Sequence, residues 1–195
     1  MKYLGLDLVI YPSVYEPAED SFLLANAAMK LRGKILEIGC GSGIVSLICA
    51  REGGNVLGVD VNPEAVKCAK INAKRNKIKS VQFIESDLFS NVPKQQFDAI
   101  LFNPPYLPTS REEVIEGDLN LAFDGGPDGL SVIKQFLNHV DSYLKPGGVL
   151  LIILSSLTNE KAIIRKLQEM GYKINFIAQE KFFFEKLYLT KATKP

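Results

Sequence analysis

Apolar positions along this chain fall into two rhythms. Short runs bounded by glycine, proline or asparagine read as buried strands, and runs with apolar residues three and four apart read as helices. The run Lys34–Ile38, stopped by glycines, is the first strand. Asn55–Val61, Val81–Glu85, Phe97–Phe102 and Val149–Leu154 read as further strands. Between the first two, Ser42–Arg51 has helical spacing at Val45, Ile48 and Cys49. Asn62 as N-cap and Pro63 as first helical residue open a helix running to about Arg75. Leu130, Ile133, Leu137, Val140 and Leu144 form one helical stripe, which Pro146-Gly147-Gly148 ends. Asn159–Met170 predicts a last helix. Lys173–Ala178 and Phe183–Thr190 predict an antiparallel hairpin with its turn at Gln179–Phe182.

Repeated strand–helix units imply an α/β domain: a mostly parallel sheet with helices on both faces, made mixed by the closing hairpin. Ahead of it, Met1–Tyr11 contains a short strand and Glu19–Leu31 a helix. No repeat, low-complexity stretch or linker interrupts the pattern, so 1–195 reads as one domain, in keeping with its length. With 47% apolar and 23% charged residues the chain is globular, and a formal charge of +1 gives no global pull toward nucleic acid or anionic membrane. Cys40, Cys49 and Cys68 form no C-x-x-C pair, and with the single His139 they supply no metal-ligand set. They read as small buried hydrophobes in a reducing compartment, and His139 as a solvated residue on the polar side of its helix. Met1–Ile10 is too polar for a secretory h-region, and Gly148–Leu157 is about half the length of a membrane span. The expected location is the cytoplasm.

The candidate chemistry sits at strand ends. Glu37-Ile38-Gly39-Cys40-Gly41-Ser42-Gly43 links a strand to a helix, and its glycines permit positive φ and close approach of a ligand to the backbone. A helix N-terminus at the same spot favours a carboxylate. Asp60 lies 23 residues beyond Glu37 at the end of the next strand, with Val61 beside it, where an acid can accept both hydroxyls of a ribose. The Gly-x-Gly-x-Gly spacing, and an acid at Glu37 where a pyrophosphate would meet negative charge, favour a cationic sulfonium ligand over a dinucleotide. Asp87 follows the third strand and can accept an adenine amino proton while Leu88 covers the ring.

Asn103-Pro104-Pro105-Tyr106 follows the fourth strand directly. The prolines stiffen the backbone and fix the direction of its carbonyls. The Asn103 side-chain oxygen and the Pro104 carbonyl can both accept from one NH₂ group, and Tyr106 can stack on a flat group. Such a site suits an amide or aryl amine nitrogen, a poor nucleophile that must be held in line with its electrophile and stabilised as it gains charge. No strong base is needed beforehand, because the nitrogen becomes more acidic as it is alkylated.

These motifs resemble those of the class I S-adenosylmethionine-dependent methyltransferases. Asn103–Tyr106 is similar to the signature of amino-methylating members, which include adenine methyltransferases of DNA and HemK-like glutamine methyltransferases of class-1 peptide release factors. Val14–Ser21 resembles the start of the archaeal and eukaryotic HemK-like branch, and Ala122–Gly129 resembles that branch's segment after Asn-Pro-Pro-Tyr. The resemblance spans the chain and implies a Rossmann-like domain with a seven-stranded sheet, in which the extension 1–33 closes over the cofactor, S-adenosyl-L-methionine. It implies cofactor contacts at Ser21, Glu37, Gly39, Gly41, Asp60, Val61, Asp87, Leu88 and Asn103, with Asn103, Pro104 and Tyr106 holding the substrate amide. The implied substrate is the glutamine of the Gly-Gly-Gln motif of a class-1 release factor, and the implied partner a small zinc-binding activator protein. The bacterial HemK pattern has a separate N-terminal helical domain, whereas about 33 residues precede the first core strand here. Substrate docking is therefore expected to use another surface, for which the activator is one candidate.

Two other functions use the same residues. An adenine amino methyltransferase of DNA or RNA would also hold a planar NH₂, but Arg111–Asp118 carries four acids against one base beside the expected mouth. The basic run Lys74–Lys79 reads as favourable charge at a helix C-terminus. A non-catalytic cofactor-binding subunit would keep the fold and lose catalytic residues, yet all are present. A lysine-directed enzyme fits less well, because an ammonium must first lose a proton. The aromatic run Phe182-Phe183-Phe184, with Tyr188, reads as a hairpin packing one face into the core, with alternation leaving Phe183 opposite its neighbours and one face open to a partner.

Overall fold

The computed structural model describes residues 1–108 and 118–195. The chain opens with a small antiparallel pair, β1 (Lys2–Tyr3) and β2 (Leu6–Asp7), separate from the main sheet. Helix α1 (Glu19–Ala28) leads into the first core strand, β3 (Gly33–Ile38). Then follow α2 (Ile44–Arg51), β4 (Gly54–Asp60), α3 (Pro63–Arg75), β5 (Val81–Glu85) and β6 (Phe97–Phe102). A 3-10 turn at Asp118–Ala122, α4 (Ser131–Leu137), α5 (Val140–Tyr143) and β7 (Leu144–Ser155) continue the chain, and α6 (Glu160–Glu169), β8 (Lys173–Lys181) and β9 (Lys186–Thr193) finish it. Among the described residues no helix is long and apolar enough to cross a membrane.

The main sheet has seven strands in the order β5-β4-β3-β6-β7-β9-β8. The first five run parallel, and β9 pairs antiparallel with both β7 and β8. Central strands are apolar on both sides because each side meets helices. Ile35, Val56, Leu101, Leu151 and Ile153 face a core built with α1, α2 and α3. Leu36, Ile38, Val59, Ile100, Phe102, Leu150 and Ile152 face a second core built with α4, α5 and α6. Alternation along each strand thus fixes register, since a one-residue slip would exchange the two cores.

Three details depart from the sequence reading. The stripe Leu130–Leu144 is not one helix but α4 and α5, broken at Asn138 and His139. Neither residue favours a helix interior, and their amides fall back on shorter bonds to Gln135 and Phe136. His139 itself is exposed. The hairpin turn is Phe182–Glu185 rather than Gln179–Phe182, closed by the Phe182 amide donating to the Glu185 carbonyl at 2.7 Å. Pairing of β9 with β7, which buries Leu187 and Leu189, sets this register and overrides the strand preference of the phenylalanines. Phe182, Phe183 and Phe184 therefore sit in the turn and none joins the core. All three cysteines are buried free thiols.

The N-terminal segment is held by amide side chains that imitate a strand neighbour. Asn72 on α3, fully buried, accepts from the Val9 amide at 2.8 Å and donates to the Val9 and Ser42 carbonyls, both at 2.9 Å. One turn on, Asn76 pairs in the same way with the amide and carbonyl of Asp7, both at 2.9 Å. Asn72→Ala removes three bonds, one buried and two half-buried, at roughly 1 kcal/mol net each. A loss of about 3 kcal/mol is expected in denaturant unfolding, and a loss below about 1 would mean that water replaces the amide.

Candidate active site

The sheet reverses its winding between β3 and β6, and the loops leaving these strands part to form a crevice. Register pairs Ile38 with Phe102, so Gly39 and Asn103 emerge side by side. They lie close enough that a Cβ on Gly39, whose φ is 68°, would stand 3.8 Å from the Asn103 carbonyl oxygen. The crevice has a volume of about 510 Å³. Its lining includes Ser21, Glu37, Gly39, Gly41, Asp60, Val61, Asp87, Leu88, Asn103, Pro104 and Tyr106, so the residues marked from sequence converge on one cavity.

Glu37 lies buried beneath the glycine loop, where Oε2 accepts from the Ser46 amide at 2.8 Å and from its hydroxyl. Burial pushes its carboxyl up to about 8 against the pull of those bonds. Asp60 flanks the glycine loop from the end of β4, its Oδ2 accepting from Gly41 N at 2.8 Å and its Oδ1 from Asn62 N at 2.9 Å. Burial raises this carboxyl too. Each oxygen keeps a free lone pair for a further donor. Cys40 is buried between the two acids, which add to the effect of burial and keep its thiol protonated and unreactive.

Asp87 and Leu88 enter from the end of β5. Leu88 holds a left-handed φ of 45°, costly for a leucine, and the Ser86 hydroxyl fixes it by donating to the Leu88 carbonyl at 2.9 Å. This bend brings both residues to the crevice. Asn103 Oδ1 is buried and has no hydrogen-bond partner among the described residues. A buried amide oxygen without a donor is rare in a folded chain and marks a place where one is expected to arrive.

The segment Ala122–Gly129 backs the Asn-Pro-Pro-Tyr loop. Leu107 donates to the Phe123 carbonyl at 3.1 Å, and Gly125 donates to that of Leu107 at 3.0 Å. Gly129, at φ 68°, approaches so closely that a Cβ would lie 2.5 Å from the Tyr106 carbonyl oxygen. The acidic stretch 111–117 lies outside the described residues.

Sequence reasoning did not mark Tyr15, Asp20, Phe123 or Glu185, all of which line the crevice. Tyr15 donates to both oxygens of buried Asp20, at 3.2 and 3.1 Å, and packs edge-on against Phe123 at 5.4 Å between ring centres. The Val14–Ser21 block held Tyr15 and Asp20 in view, but nothing in the sequence tied Glu185 to this place. Burial raises the Tyr106 hydroxyl, and the charges of Asp20 and Glu185 raise it further, so it stays a neutral phenol.

A sheet of this order, with a glycine loop and an Asn-Pro-Pro-Tyr loop abutting at its switch point, defines a Rossmann-like methyltransferase. Residues 18–117 match the family model of the methyltransferase small domain. The chain belongs to that family, within its protein-glutamine methyltransferase group. It is 50% identical over 190 residues to a Methanocaldococcus jannaschii protein named, provisionally, as a protein N5-glutamine methyltransferase, covering 96% of this chain and 95% of that one. It is 32% identical over 189 residues to the release factor glutamine methyltransferase of Geobacter sulfurreducens, covering 92% of this chain and 66% of the relative. The solved E. cuniculi Mtq2–Trm112 complex, described as responsible for methylation of the eRF1 translation termination factor, includes a chain with the same fold. Its TM-score is 0.73 and its identity 24%, with 94% of this chain and 99% of that one covered.

Proposed function

We propose that this methyltransferase uses S-adenosylmethionine to methylate the side-chain amide of glutamine in the Gly-Gly-Gln motif of a class-1 release factor. The observation that carries the reading is Asn103 Oδ1, buried and unpartnered among the described residues, on a residue whose backbone abuts the glycine loop. When bound, S-adenosylmethionine supplies an electrophilic methyl group on a positively charged sulfur. The lining fits it: buried Glu37 and half-buried Asp60 suit a cation and a ribose, and backbone amides at the start of α2 suit a carboxylate. Asp60 accepts the ribose hydroxyls, Asp87 accepts from adenine, and Leu88 covers the ring. Ser13, Val14, Tyr15 and Pro17, which line the crevice, close over the cofactor together with α1.

Asn103 Oδ1 and the Pro104 carbonyl accept the two amide protons of the substrate and hold its nitrogen in line for transfer, while Tyr106 flanks the amide plane. Positive charge developing on the nitrogen strengthens both bonds, so they stabilise the transition state more than the ground state. The extra proton then leaves to water.

The relatives' names point to glutamine in protein, and the assembly described as responsible for eRF1 methylation is a complex of Mtq2 with Trm112. We infer a comparable small activator, zinc-binding by the family resemblance, and a cytoplasmic setting that suits three free buried thiols. The test is transfer of radiolabelled methyl from S-adenosylmethionine to a class-1 release factor, with activator present and absent and DNA offered in parallel. Label lost on replacing the Gly-Gly-Gln glutamine supports the reading, and label on DNA alone overturns the substrate.

Glu37 gives this reading a pH signature. Its folded carboxyl titrates above the ordinary 4.5, at about 8, so the ligand-free fold loses stability as pH rises between those values. A bound cation reverses this by favouring the ionised form. Affinity for S-adenosylmethionine is therefore expected to rise between pH 6 and 7.5, by up to about twentyfold for full coupling. Calorimetric titration of wild type and Glu37→Gln should show the slope only in the former; equal slopes would remove Glu37 from this role.

A further inference from the structure

The turn that joins β8 to β9 reaches the crevice with one residue and turns its aromatic rings to water. Glu185 lines the cavity and accepts from the Ser155 hydroxyl at 2.5 Å. Ser156 and Lys186 exchange two further bonds, at 2.9 and 2.8 Å, and tie the turn to the end of β7. On this fixed mount Phe183 is 93% and Phe184 84% exposed, with Phe182 at 40%. The Phe183 and Phe184 rings lean on each other edge to face, 4.6 Å between centres. Leu157, next to Ser156, is also exposed.

Isolated exposed apolar residues are ordinary, but a cluster with two nearly bare aromatic rings marks a contact surface. Its position says what it contacts. A glutamine side chain is only a few bonds long, so for its amide to reach Asn103 the substrate's own backbone must come down to the crevice rim. The surface around that backbone then meets whatever stands beside the rim, and through Glu185 that is this turn. The charges beside the rings, Glu180, Lys181, Glu185 and Lys186, balance. A phosphate backbone would find no net attraction there, whereas aromatic rings with few rotatable bonds suit an apolar protein surface.

We propose that Phe183 and Phe184, with Leu157, form the docking surface for an apolar patch on the protein substrate while its glutamine occupies the crevice. The proposal rests on the glutamine-methyltransferase reading above. It also supplies a grip on the substrate from within the catalytic domain.

The test compares wild type with the Phe183→Ser/Phe184→Ser double variant, each with activator, in steady-state methylation of an intact class-1 release factor. The expected result is a KM for the release factor raised about tenfold or more. The kcat at saturation and the dissociation constant of S-adenosylmethionine should stay within about twofold, and Phe183→Leu/Phe184→Leu should recover most of the KM. An unchanged KM overturns the proposal, as does a fall in kcat at unchanged KM. Loss of activator co-purification, or conversion of a wild-type dimer to monomer on gel filtration, would overturn it in favour of another occupant. Wild type that labels DNA and no release factor would overturn the reading itself, and the docking proposal with it, before any variant is compared.

Discussion

Asn103→Ala is expected to lower kcat for methyl transfer by a hundred- to a thousandfold, on the order seen when one preorganised hydrogen-bonding group is removed from a transition state. The amide nitrogen of glutamine has its lone pair delocalised into the carbonyl, so it attacks only when held in line and relieved of developing charge. Asn103, whose backbone abuts Gly39 and whose Oδ1 is buried and free of any partner among the described residues, would do both. Alanine leaves the Pro104 carbonyl as the remaining acceptor, and the nitrogen can then swing away. Cofactor affinity should change by less than about threefold, because the acids and amides of the glycine-loop wall are untouched. Asn103→Asp keeps an acceptor at the same reach and should retain more activity than alanine. Single-turnover transfer alongside calorimetry separates the two effects. Loss of cofactor binding with transfer intact would contradict the assignment.

Asp60→Ala is expected to do the opposite, weakening S-adenosylmethionine by about a hundredfold. Two ribose hydroxyls bonding to a charged acceptor contribute about 1.5 kcal/mol each, and about 3 kcal/mol corresponds to that factor. The carboxylate is also the acceptor for Gly41 and Asn62, so a looser glycine loop is a competing cause. A cofactor analogue lacking both ribose hydroxyls distinguishes them. If the hydroxyl bonds are what is lost, wild type and variant should bind this analogue about equally. If the variant still binds it a hundredfold more weakly, Asp60 serves the loop and not the ribose.

Most of the frame was legible in the sequence because local pattern and tertiary demand agree there. Strands β3, β4, β6 and β7 carry apolar residues on both faces, and Asn62-Pro63 caps α3 as its residue types require, with Asn62 accepting from Glu64 N at 2.8 Å. The crevice could be anticipated because its parts stand at the carboxyl ends of consecutive strands, where an α/β sheet gathers them. What escaped depends on distant partners. No periodicity announces that Asn72 will bond to Val9, or that Glu185 will turn back to Ser155. The phenylalanine run looked like strand because aromatic residues favour strands, yet β7 decided its register from far upstream. Likewise α5 ends at Tyr143 because β7 begins at Leu144, which the apolar stripe could not reveal.

The position of β9 bears on how this chain is made. It is the last strand in sequence, yet it fills the slot between β7 and β8. A nascent chain that has emerged only as far as Lys181 holds five parallel strands and ends them at β7, whose free edge would run through Val149–Leu154. Strand β8 has by then been synthesised but has no neighbour to pair with, since in the finished sheet it bonds to β9 alone. Until β9 inserts and covers it, the half-built domain therefore carries an apolar strand edge open to misassociation. The completed sheet instead ends in β8, a mostly exposed strand with Lys173 and Lys181 at its ends and Phe176 and Ile177 exposed between them.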